Sequence, residues 1–451
     1  KKGKGKKKGK ARGKGKKKGK AKRKGACGRR APSPVAPTPP ATGPAAPGAG
    51  PASPGTGPVP PGLAEVILVG NNWDGTADVI EVRNRARRNR PGYRRVTRLN
   101  IVPDLQERLF EILLNPVDLA YFLAIRLLVG EGNDQYVDDL YTTPDGRLLV
   151  VSRPSLKDVV GIELETGEIA WRFEVAGQRS DHMGISPDGR HVAVSASTGN
   201  VVHILDTETG KQVGAFPSGD SPHENTYSED GERIYHASIG LVYTPLDQPL
   251  LDTTKGDRWF QVVDAETTDI LKRIDIGQKL AQAGHPDMSS AVRPMAITAD
   301  ERRIYMQVSF FHGFVEYDNV NDRVLRLAHL PDFTGGLPRE LYLLDSAHHG
   351  IAIDGDDRRL CVAGTMSDYA AIVDRRDFGD RTLITGEGTK PYWSTTSEDG
   401  RFCYVSWSGT DSISVIDYKT REVIANLPVG DHPQRVRTGH VPQSFIDAHR
   451  D

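Results

Sequence analysis

A three-residue turn that returns about every 43 residues, where nothing is inserted between copies, constrains this chain more than any other feature. It stands as Pro144-Asp145-Gly146, Pro187-Asp188-Gly189, Glu229-Asp230-Gly231, Ala299-Asp300-Glu301, Gly355-Asp356-Asp357 and Glu398-Asp399-Gly400. The clearest full units are TTPDGRLLVVSRPSLKDVVGIELETGEIAWRFEVAG and ISPDGRHVAVSASTGNVVHILDTETGKQVGAFPSG. Each reads as four short strands: one leading into the Asp-Gly turn, a β-branched strand after it, a variable loop and third strand, then a Thr-Gly turn opening the fourth. Asp and Ser bond back to the turn backbone while Gly supplies the positive φ. A 43-residue unit of four strands is one blade of a propeller.

An acid closing the third strand recurs seven times, at Glu81, Glu163, Asp206, Asp264, Asp318, Asp374 and Asp417, one more than the turns. GDHPQRVRTG near the C-terminus reads as a first strand, and EVILVGNN with ADVIEV near residue 63 as a second and third. The two ends therefore complete one blade and remove the open edge. The expectation is an all-β, seven-bladed β-propeller over residues 63–441 with terminal-strand closure, a helical insertion at 102–135 and a short C-terminal tail at 442–451. Leu109, Leu113, Leu114, Leu119, Phe122, Leu123 and Leu127 fall at helical spacing around Pro116, which splits the insertion into two helices that either cap one face or pad blade 1. Glu111, Pro116, Asp118 and Arg126 argue against a membrane span there, and no transmembrane segment is expected.

The zero formal net charge hides a division. Residues 1–30, a Lys/Gly repeat, hold 18 Lys or Arg and no acid, leaving 41 bases against 59 acids in the remainder. Residues 31–62 contain 12 prolines and no charged side chain. The first stretch reads as a disordered basic tail able to contact polyanions or to serve only for solubility, and the second as a linker. The sequence starts at Lys1, and residues 1–62 offer no apolar run of the kind a signal peptide needs. Cys27, Cys361 and Cys403 are too few for a disulfide framework. Cys361 and Cys403 hold the same place in successive repeats, which is expected to keep them on separate blades, out of bonding reach, as small buried hydrophobes.

SPDGRHVAVS, VHILDTETGKQV and PVGDHPQRV resemble the YVTN-type propeller repeat, a resemblance that covers nearly all of residues 63–441. It implies the seven-bladed architecture, a binding or surface role and an extracytoplasmic location, without an activity. Gly161 to Trp171 is also similar to the tryptophan-docking repeat of quinoprotein dehydrogenases. Gly214 stands where the next blade would need its tryptophan, so a quinone cofactor is not expected and Trp171 is assigned to packing between blades.

Insertions at 102–135, 239–258, 277–292 and 329–346 all fall in connections that emerge on one face of a propeller, which makes that face the place for an unknown protein or small-molecule ligand. The polar residues leading each first strand should converge there at the channel mouth. They are Asp138/Asp139, Asp181/His182, His223/Glu224, Arg293, His348/His349, Tyr392/Trp393 and His432/Gln434, with Arg435 following. Three readings stay open: a hydrated channel mouth, an organic ligand oriented by groups such as Arg293 and Tyr392, or a metal held by His182, His223, Glu224 and His349. The leading function is a non-enzymatic ligand- or protein-binding scaffold, and the alternative is a metal-dependent oxidoreductase using copper or iron. Phe310-Phe311-His312 suits either partner contact or a core edge. Ser346 near His348, His349 and Asp345 lacks a nucleophile elbow, and its proximity to them in sequence is read as chance.

Overall fold

The computed structural model describes residues 59–83, 91–242, 254–342 and 346–450. The basic segment, and all of the proline-rich one except residues 59–62, lie outside them. Among the described residues the strands form seven four-stranded antiparallel sheets, one per blade. Blade 1 is built from both ends of the chain: Pro433–Pro442 pairs with Leu63–Asn71, followed by Thr76–Arg83 and Gly92–Asn100. The closure expected from the two half-blades is thus the one observed. Beyond it, Gln443–Ala448 forms a helix that buries Phe445 and Ile446 in the cluster between blades 1 and 2.

The turns show why their chemistry recurs. Ser186 Oγ donates to Asp188 Oδ1 at 2.6 Å and accepts from the His191 amide at 3.0 Å, while Asp188 accepts from the Arg190 amide at 3.1 Å. Gly189 takes φ 73°. In blade 6, where Asp354 replaces the Ser and Asp357 the closing Gly, Asp354 accepts from the Arg359 amide at 2.9 Å and Asp357 adopts the positive φ at 53°.

Trp171 lies between blades 2 and 3, its indole N–H donating to the Thr207 carbonyl at 3.1 Å. The ring rests on two glycines, and a Cβ at Gly161 would meet Trp171 Nε1 at 2.3 Å. Gly161→Ala is expected to lower stability by about 1–3 kcal/mol, read as a drop in denaturant midpoint at unchanged slope.

One expectation is corrected. Cys361 and Cys403 are joined as a disulfide between blades 6 and 7, with Cα atoms 6.4 Å apart. The expectation treated successive blades as separated layers. Neighbouring blades pack face to face, and the two cysteines sit one register position apart on their second strands, Arg359–Gly364 and Phe402–Trp407, so Cys361 points toward blade 7 and Cys403 back toward blade 6, and they meet at bonding distance. Denatured but unreduced protein should titrate one thiol, that of Cys27, against three after reduction; three from the start would remove the bridge.

The insertion forms helices α1 (Leu105–Leu114) and α2 (Pro116–Ala124), continued by a wider π-type turn over Ile125–Val129. Pro116 opens the second helix at N1, and the Asn115 side chain accepts from the Val117 amide. Ile112, Phe122 and Ile125 pack with Leu149, Val151 and Leu156, so the helices lie over blades 1 and 2. Arg153, fully buried, ties this junction by ion pairs to Asp104 at 2.6 Å and Asp158 at 2.8 Å.

Candidate functional site

In five of the seven blades the innermost strand begins with an irregularity. Register shifts occur between Ser180 and Met183, Pro222 and Glu224, Val292 and Met295, Pro391 and Ser394, and opposite Gly70/Asn71 in blade 1. A bulge places two residues against one and re-aims side chains. Aligning the seven strands by their pairing gives two stacked positions per blade. The outer holds Asp138, Asp181, His223, Arg293, His349, Tyr392 and Gln434, and the inner holds Asp139, His182, Glu224, Pro294, Gly350, Trp393 and Arg435. Strict alternation would have sent one of each pair into the blade. His182 and His223 belong to different positions, yet their rings meet because the bulge lets both face the axis.

Among the described residues, the ligand atoms of His182, His223 and His349 all lie within 4.8 Å of one another, from three separate blades and fully buried. Ring centroids are 3.8 Å apart for His182 and His223, 5.5 Å for His182 and His349, and 5.8 Å for His223 and His349. Burial holds all three imidazoles well below the usual histidine range, with the Arg435 and Arg293 cations adding to it, so they stay neutral, each with one unprotonated ring nitrogen. His223 Nδ1 and at least one ring nitrogen of His349 are buried without a hydrogen-bond partner.

Glu224, grouped with these histidines from sequence, stands behind them. Its Oε2 lies 2.9 Å from His182 Nδ1, leaving Nε2 to face the cluster. Burial pushes the Glu224 carboxyl up to about 8. This is the position of an outer carboxylate that fixes the tautomer and ring orientation of a metal-binding histidine. Arg293 Nη1 lies 3.3 Å from His223 Nε2, and its Nε donates to Ser309 Oγ at 2.8 Å. Tyr392 lies against His349 at 4.2 Å between ring centroids.

The inner side is closed by a cationic stack. Arg435, buried, lies 4.0 Å above the Trp393 ring and pairs with Asp138 at 3.2 Å, while Arg437 pairs with Asp139 at 2.6 Å. The sequence reading missed Arg437, which alternation alone would have found two residues after Arg435. Asp138 and Asp181 form a second buried acidic group beside His182, and burial raises Asp138 to about 7.

Two other residues do not join the site. His348 Nε2 lies 2.9 Å from the Tyr369 hydroxyl, and His432 stacks on Trp73 at 3.8 Å. Ser346 donates to the carbonyl of His348, so its hydroxyl faces backbone, and Asp345 is outside the described residues. Phe310 is covered by Arg339, whose guanidinium sits 4.4 Å from the ring, and Phe311 packs against His329.

On the inserted face a cavity of about 140 Å³ reaches the cluster, lined by Val129, Glu131 and Gln135 from the end of the insertion, by Arg179, Arg293 and Tyr392, and by Ile239 and Gly240 of blade 4's loop. The channel is wider at the opposite mouth, about 670 Å³, but its wall there is mostly the Asp-Gly turns and neighbouring hydroxyls. The smaller cavity is bounded by His182 and His223 of the cluster.

No family model matches the chain, and no curated protein matches it. A solved structure similar to it is Kuenenia stuttgartiensis hydrazine synthase, with 14% sequence identity, a TM-score of 0.49, and coverage of 66% of this chain and 88% of that one. At that score the likeness carries no argument about the site.

Proposed function

We propose that this protein is a binding propeller whose ligand chamber, on the inserted face, ends on a metal ion held by His182, His223 and His349. The observation that carries the reading is the meeting of three neutral, buried imidazoles from three blades, with ligand atoms within 4.8 Å and nitrogens left unpartnered. Buried polar atoms are ordinarily satisfied, and a cluster of them left open at one point fits an ion. Three imidazoles suit copper, zinc or iron, and three protein ligands leave a position open for a small molecule from the cavity. Arg293 and Tyr392 on the cavity wall can donate to a hydrogen-bond-accepting one.

The repeat pattern supports a YVTN-type propeller, and the Cys361–Cys403 bridge supports an oxidising, extracytoplasmic location. The scaffold reading without an ion, in which these groups line a hydrated channel, makes the opposite prediction for elemental analysis. Full-length protein incubated with copper, zinc, iron or manganese and then desalted should retain about one equivalent of one of them. Retention below about a tenth of an equivalent for all four leaves only the metal-free scaffold.

A further inference from the structure

The helical insertion presents a surface that the site does not use. Phe110, Leu113, Leu114, Val117, Leu127 and Leu128 are each more than half exposed, Leu127 at 71%, and Tyr121 lies among them. Among the described residues, the other exposed large apolar side chains, Val213, Leu241, Leu271, Val320, Phe333 and Leu341, are spread along the sequence rather than clustered in one segment. Exposed apolar patches of this kind mark interaction surfaces.

The charges of the insertion point the other way. Arg108 is buried with its Nε 3.6 Å from Asp158, Glu111 lies 3.6 Å from Arg172, Asp118 pairs with Lys157 at 2.9 Å, and Arg126 with Asp134 at 2.6 Å. Four of the five charged residues between 105 and 129 are thus drawn into ion pairs, and only Glu107, in the first turn of α1, is outside them. A protein partner of ordinary composition would be expected to meet some polar or charged group at the rim of its site. This face offers it almost none.

We infer that the apolar face of α1 and α2 inserts into one leaflet of an anionic lipid bilayer and holds the propeller at the membrane surface. By composition Leu105–Leu114 and Pro116–Val129 together pass for a membrane span, but they are bent by 117° at Asn115 and each is shorter than the ~20 residues a crossing needs. Two short helices in that arrangement can lie in the interfacial plane. The occupant is identified by charge as well. Residues 1–30 bring 18 cations and no acid to the same chain, complementary to anionic headgroups and to nothing apolar. One weak apolar insertion and one polybasic segment together make the two signals that stable surface attachment needs.

Salt separates the two contributions, because at ~0.5 M NaCl the Debye length falls to a few ångströms and the polybasic attraction is screened. Full-length protein is sedimented with vesicles of phosphatidylcholine and phosphatidylglycerol at low and high salt. Binding is expected to weaken but persist at high salt. Leu113→Glu/Leu127→Glu, and independently Leu114→Glu/Leu128→Glu, should reduce the high-salt partition coefficient at least about tenfold, since burying one leucine already favours transfer by that order. Leu271→Glu, an exposed apolar position on blade 4, should bind like the parent. Unchanged melting curves for the variants establish that the loss is not unfolding. The inference is overturned if the parent fails to sediment at high salt, if both double variants sediment like it, or if the variants only convert a dimer to monomers in ultracentrifugation, which assigns the face to a second copy of this chain.

Discussion

Replacing His349 by alanine should reduce retained metal from about one equivalent to below about a tenth, and His223→Ala should do the same, while neither change greatly shifts the melting of the metal-free protein. In the metal-free state these imidazoles are buried and neutral, and apart from the 3.3 Å contact of His223 Nε2 with Arg293 their ring nitrogens make few hydrogen bonds, so removing them forfeits little hydrogen bonding. Their expected effect is therefore concentrated in metal retention. A purely structural cluster predicts the reverse, a loss of stability with no change in retained metal. Glu224→Gln tests the outer layer separately. Glutamine keeps the shape and can still accept from His182 Nδ1–H, but unlike the carboxyl it cannot release a proton and become an anion when a cation binds to His182. Affinity should fall about 10- to 100-fold with stoichiometry preserved, measured by competition against a chelator of known strength. Full loss of stoichiometry in Glu224→Gln would instead make Glu224 a ligand.

The contrast between what the sequence discloses and what it hides follows from the physics of each feature. Turn chemistry is local, so Pro187-Asp188-Gly189 and its repeats announce themselves, and counting acids at third-strand ends brings out the seventh blade. Convergence at the axis is also legible, because each first strand is found by measuring back from its turn. The order of His182 and His223 is not, since a period of two assigns side chains to faces only while the ladder is regular, and the bulges at Ser180/Met183 and Pro222/Glu224 suspend that rule where the site is built. The separation of Glu224 from the three histidines is likewise hidden, because it depends on side chains reaching 2.9 Å across two blades. The cysteines show the opposite failure. The motifs put them at the same place in successive repeats, whereas the strand pairing sets them one position apart, so their side chains leave opposite faces of adjacent, stacked blades and meet between them.

Acid should unfold the metal-free propeller steeply, with a midpoint between about pH 4 and 5.5. Beyond the three site histidines, His236, His348 and His432 are pushed by burial to about 3. Each of these six imidazoles stays neutral in the fold but takes up a proton in the unfolded chain near pH 6.5, so unfolding binds protons and stability is lost as pH falls below 6.5. Glu224 and Asp138 work in the other direction. Raised to about 8 and about 7, they hold protons in the fold that the unfolded chain has released, which stabilises the fold below those values and is lost as pH rises through them. Near pH 5 the balance is a net uptake of about four protons on unfolding, a slope of roughly 5 kcal/mol per pH unit. Over about two pH units that consumes the whole stability of an ordinary domain, ~5–15 kcal/mol. The measurement is denaturant unfolding of chelator-treated protein from pH 8 to 4, followed by circular dichroism. His236→Gln should make the pH slope shallower by ~1.4 kcal/mol per unit, one proton's worth, whatever it does to stability at neutral pH. A stability that stays flat from pH 6.5 to 4.5 would mean that these imidazoles titrate freely in the fold, and with it the claim that they are neutral and open to a metal would fail.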